Sequence, residues 1–146
     1  MRSKLLTTLL TGMFCVALVS TTALACTCSD MNVKQRFSHA NLAFAGKVLS
    51  KRKSDDQKGV EVMFQVEKVW KGSPTKTISI HTGPTEDLYK IIDLCATYFE
   101  LGKRYVVFAN GKTTFSNDVC QGFWKFPDAE KVIGQLGKGR VPKVND

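Results

Sequence analysis

The sequence predicts a mostly β protein: a small five- to six-stranded antiparallel barrel of the OB-like, Greek-key kind with short flanking helices. Three observations carry that expectation. Short apolar segments alternate with polar residues at period two and recur at steady spacing. Clusters of Gly, Pro and Asn punctuate them, and helical periodicity is confined to one stretch near each end.

The elements follow in order. Residues 32–40 (NVKQRFSHA) read as a short helix, with Val33, Phe37 and Ala40 at helical spacing. Over 42–51, Leu42, Phe44, Gly46 and Val48 alternate with smaller or polar neighbours; Val60, Val62, Phe64 and Val66 repeat that period over 59–70. The polar KRKSDDQKG between them is a hairpin connection. Ile78 and Ile80 mark a third strand beyond the Gly72-Ser73-Pro74 turn. Residues 86–92 fit a helical turn or a loop equally well. YVVFA at 105–109 is a compact apolar strand, and 113–119 is expected to pair with it through the Asn110-Gly111 hairpin signal. In 127–136, Ala129, Val132, Ile133 and Leu136 form one helical stripe, stopped at Gly137. Residues 138–146 are expected to form a frayed tail. The aromatics Phe44, Phe64, Trp70, Phe99 and Phe108 are expected to fill the barrel rather than form a ligand platform.

The first 25 residues have the parts of a secretory signal: Arg2 and Lys4, an apolar run over 5–19, and the small-x-small site Ala23-Leu24-Ala25. Cleavage after Ala25 would place the α-amino group on Cys26, in a secreted protein of extracellular or periplasmic location. A lipid anchor on Cys26 is the alternative. Ala23 and Leu24 stand in the reverse of the order that lipidation favours, so plain cleavage is the expectation. No second apolar segment of about 20 residues follows, and no membrane span is expected.

Removing 25 of 146 residues leaves 121, a single domain over 26–146. Its 19 basic and 13 acidic residues give a net charge of +6 once Arg2 and Lys4 are gone. The lysines are scattered, with Lys51-Arg52-Lys53 the only run and no basic-aromatic repeat, so a solvated surface is expected and not a nucleic-acid partner.

Of the five cysteines, Cys15 falls in the signal; the remaining four, Cys26, Cys28, Cys95 and Cys120, argue for two disulfides in an exported chain. There is no Cys-x-x-Cys, and His39 and His81 stand far apart without a ligand pattern, so neither a metal of its own nor a cofactor is expected. No Ser/His/Asp arrangement or phosphate loop points to an enzyme; the remaining catalytic idea is Cys26 as an N-terminal nucleophile or redox thiol. On extended backbone Cys26 and Cys28 face the same way, and bridging them to each other would close a strained ring. Each therefore reaches a distant partner, which leaves both assignments to Cys95 and Cys120 open. Such loops of roughly 70 to 90 residues would contribute about 4 kcal/mol apiece at most, and would pin a chain end that normally frays.

Several segments carry a family resemblance in order over most of the mature chain: CTC at 26–28, ANLAFAGKV at 40–48 with an aromatic ahead of it, and VEVMFQVEKVWKG at 60–72. Cys95, YFELGKRYVVFA at 98–109 and Cys120 complete the set. The chain resembles the tissue inhibitor of metalloproteinases family, within the wider netrin-like group. It departs from the animal inhibitors in lacking cysteines for their third disulfide. The resemblance implies the barrel, the pairing Cys26–Cys95 and Cys28–Cys120, and inhibition of zinc metalloendopeptidases as the function.

In that family the first cysteine's α-amino nitrogen and carbonyl oxygen chelate the protease's catalytic zinc and displace its attacking water. Carried over, Cys26 is the chelating residue and Thr27 enters the main specificity pocket. Cys28 and Ser29 continue along the substrate cleft, with Asp93 and Leu94 beside them. The chemistry is coherent. A catalytic zinc keeps one position open, and an α-amino group titrating near about 8 loses its proton cheaply at neutrality. A netrin-like module that binds an extracellular or periplasmic ligand without inhibiting proteases is the alternative.

Overall fold

Period-two alternation builds the two longest elements, β1 (Leu42–Lys53) and β2 (Val60–Lys71), which pair antiparallel along their length. The computed structural model describes residues 26–90 and 93–143; the expected signal peptide, 1–25, lies outside them. Before β1 comes α1 (Val33–His39). After β2 come β3 (Thr77–Thr82), α2 (Glu86–Tyr89), β4 (Arg104–Ala109), β5 (Phe115–Ser116), β6 (Phe123–Lys125) and α3 (Ala129–Leu136). Residues 86–89, undecided from sequence, thus form one helical turn, ended by Lys90 in the left-handed region at φ 58°.

One six-stranded sheet results, in the order β5-β3-β2-β1-β4-β6. Three register shifts between β1 and β2 bend the pair, and the sheet curls into a half-barrel consistent with the OB-like expectation. One pairing departs from it. Instead of forming a hairpin with β4, β5 runs parallel to β3, with Ile80 opposite Phe115 and His81 opposite Ser116. That alignment lets Phe115 pack against the barrel core. Of the expected backbone pairing, one bridge just beyond β4 remains, Asn110 and Ser116 exchanging hydrogen bonds of 3.0 and 2.8 Å. The sheet is therefore mixed.

The two faces of β1 explain its composition. Leu42, Phe44 and Val48 point into the barrel with Val62, Phe64, Ile80, Phe99 and Tyr105. Edge-to-face ring contacts run from Phe44 through Phe64 and Phe99 to Tyr105, with centroids 5.1–5.3 Å apart. Ala43 and Ala45 face outward, and their small side chains let α1 and α3 lie close on that surface with Phe37, Phe108 and Val132. Phe44, Phe64 and Phe99 fill the barrel as expected and are fully buried; Phe108 is instead buried in the outer layer under the helices, where Trp70 is half-buried.

Of the tail expected to fray, residues 138–143 are instead held along β2 and the turn after it, and 144–146 lie outside the described residues. Arg140 and Val69 exchange backbone hydrogen bonds of 2.8 Å, and the Trp70 indole donates to the Gly137 carbonyl at 2.9 Å. Lys143 N–H donates to Pro74 O at 3.3 Å. Among the described residues no helix is long and apolar enough to cross a membrane.

Candidate functional site: a disulfide-clamped N-terminal ridge

The segment ahead of α1 has no regular structure of its own, and two cysteines at period two are what fix it. Cys26 is bonded to Cys95 and Cys28 to Cys120, with Cα–Cα distances of 5.5 and 5.2 Å. Thr27 stands exposed between the bridges, and Ser29 is exposed beyond them. The free segment ends at a capping box: Gln35 N–H donates to Asn32 Oδ1 at 3.0 Å, and Asn32 N–H donates to Gln35 Oε1 at 2.9 Å.

The partner cysteines are themselves fixed. Asp93-Leu94-Cys95 and Asp118-Val119-Cys120 are two turns of one design, in which the aspartate Oδ1 accepts from the cysteine N–H at 2.9 and 2.8 Å. The turns are joined: Ala96 pairs with Asp118, and Val119 N–H donates to Cys95 O at 3.3 Å. Behind them, Thr82 Oγ1 of β3 exchanges hydrogen bonds of 2.9 and 3.1 Å with Thr97. Buried Asn117 donates its side-chain amide to Phe108 O at 2.5 Å and its backbone N–H to His81 O at 2.8 Å. The disulfides thus tie the ridge to the sheet through buried polar contacts. Gly83 provides the room, since a Cβ there would stand 2.8 Å from Asp93 Oδ2.

A further brace comes from α1. Arg36 Nε donates to Met31 O at 2.9 Å, and its Nη1 donates to Cys120 O. One guanidinium therefore links the ridge backbone to the turn that receives Cys28. On either side of the clamp lie shallow recesses of about 220 Å³ each. One is lined by Arg36, His39, Asp118 and Cys120, the other by Thr85, Asp93 and Tyr98.

All the residues singled out from sequence are brought to this corner: Cys26, Thr27, Cys28 and Ser29 on the ridge, Asp93, Leu94 and Cys95 beside it, and Cys120 beneath Cys28. Leu94 is 68% exposed. Arg36, Asp118 and Val119 were not foreseen. The repeated Asp-x-Cys spacing was a signal available for the last two; nothing local marked Arg36 for its role. With all four cysteines oxidised, no group of three or more His, Cys, Asp or Glu able to hold a metal occurs among the described residues. The arrangement presents Thr27 and Ser29 on a segment tied to the body of the protein at two points. No protein-family model matches the chain, and no curated protein does.

Proposed function

We propose that the chain, cut after Ala25 and secreted, inhibits zinc metalloendopeptidases by presenting the Cys26 α-amino nitrogen and carbonyl oxygen to the protease's catalytic zinc. The observation that supports this most is the double clamp. Two residues one apart are bridged to two mutually paired turns, leaving Thr27 exposed between them. A ligand ordered before binding loses little conformational freedom on association. The Cys26 sulfur is occupied by Cys95, which leaves the amine and carbonyl as the remaining donors of that residue. Thr27 would fill the specificity pocket, Cys28 and Ser29 would follow the cleft, and Asp93 and Leu94 would flank it.

The test is a chain beginning at Cys26, assayed against a panel of zinc metalloendopeptidases beside the same chain carrying one extra alanine ahead of Cys26. Loss of the chelate should weaken inhibition by at least about 100-fold, or roughly 2.8 kcal/mol. Equal inhibition by both forms would remove the zinc-chelating role. Inhibition by neither would overturn the proposal in favour of a netrin-like binding module.

A further inference from the structure

The fold gathers cations that the sequence scatters. No Asp or Glu occurs between Glu67 and Glu86, nor between Glu130 and Asp146. These two carboxylate-free stretches are laid against each other: Val69 pairs with Arg140 and Thr75 with Lys143. Lys68, Lys71 and Lys76 come from one, and Lys138, Arg140 and Lys143 from the other. Gly139 passes so close over Lys68 and Trp70 that a Cβ there would lie 2.5 Å from Lys68 Cγ and 3.1 Å from Trp70 Cε2. Arg140 donates to the Gly72 carbonyl, and Lys71 donates to the Phe37 and Ser38 carbonyls. Both are fixed by neutral oxygens and not by carboxylates. The nearest carboxylate in sequence, Glu67, is engaged by Arg104. Between Arg140 and Lys143 stands Val141, which at 79% is the most exposed large hydrophobic among the described residues.

We propose that this strip, Lys68, Lys71, Lys76, Lys138, Arg140 and Lys143 around the prong of Val141, docks the protein peripherally on an anionic lipid bilayer. Cations alone would suit any polyanion. An apolar side chain projecting from among them favours a bilayer, where the charges meet phosphate headgroups and the prong reaches the acyl boundary. The surface is independent of the N-terminal ridge.

The experiment is co-sedimentation of the oxidised chain starting at Cys26 with phosphatidylcholine vesicles, with and without phosphatidylglycerol. Binding should require phosphatidylglycerol and weaken as salt rises. The variant K68Q/K76Q/K138Q/K143Q leaves Lys71 and Arg140 in their structural contacts, and should lose on the order of 100-fold in partitioning. A control of equal charge, K47Q/K58Q/K103Q/K112Q, should stay within a few-fold of the wild type. Val141→Ser should lower vesicle binding severalfold while leaving retention on heparin unchanged. Equal binding to neutral vesicles, no binding to either, or a quadruple variant no weaker than its control would overturn the proposal. A silent Val141→Ser together with stronger binding to heparin than to vesicles would reassign the strip to a linear polyanion.

Discussion

Arg36 illustrates how much of the ridge depends on single side chains. Its guanidinium reaches the Met31 carbonyl ahead of α1 and the Cys120 carbonyl across 84 residues of sequence. Arg36→Ala would leave two partly buried carbonyls without donors. Charge-assisted hydrogen bonds contribute about 1.5–3 kcal/mol, so a loss of roughly 2 kcal/mol is expected in urea unfolding. Arg36→Lys should recover only part of it, because one ammonium cannot reproduce the fork. Faster amide exchange at Ser29 and Met31 would distinguish a loosened ridge from a general loss of stability. Asp93 and Asp118 act at the same scale, each holding the cysteine two residues on. Their spacing stands plainly in the sequence, whereas Arg36 is one of many surface-type cations until the fold brings Cys120 to it.

At the scale of elements, local pattern and non-local partner separate cleanly. The alternation in 42–51 and 59–70 marked β1 and β2 because each buries one face against the same core, and the stripe in 127–136 marked α3. Which strand β5 would join was not local information. The Asn110-Gly111 signal spoke for β4, while burial of Phe115 is achieved beside Ile80 of β3. The polar tail at 138–143 carried no periodicity; its docking follows from carbonyls and an indole on β2 and in the following turn. The connector before β4 was likewise mute except for Phe99, which lies at the centre of the aromatic chain with Phe64, Tyr105 and Phe123 all within 5.5 Å of its ring centroid. Phe99→Ala should therefore cost about 3–5 kcal/mol, the range for emptying a fully packed aromatic site, measurable as a lowered denaturation midpoint. Phe99→Leu should retain about half of that stability, because it leaves a smaller void.

The whole molecule is a curled sheet whose open corner is fastened by covalent and polar ties. The Cys28–Cys120 bridge spans 92 residues, and replacing both cysteines with alanine should cost about 2–4 kcal/mol while leaving the Cys26–Cys95 bridge in place. Around the rest of the surface, three carboxylates are held below their ordinary values. The Ser54 hydroxyl and the Lys58 N–H hold Asp56 below its ordinary 3.8. The Lys125 ammonium holds Glu100 below its ordinary 4.5. For Asp87, burial pushes upward, but hydrogen bonds from Lys51 and Thr85 outweigh it and the net direction is down. A carboxylate depressed in the folded state contributes stability above its unfolded pKa and loses it as pH falls through the folded value. The stability supplied by these groups should thus be complete above the ordinary carboxylate range and decline progressively as the pH falls through and below it. Burial raises Tyr105 above its ordinary 10.0, so its contribution is complete below that value and is lost as pH rises beyond it. Urea unfolding across the acid range checks the lower limb. Asp87→Asn should flatten it in part and Asp56→Asn/Asp87→Asn/Glu100→Gln further, and an acid limb that stayed as steep in the triple variant would move its origin to other carboxylates.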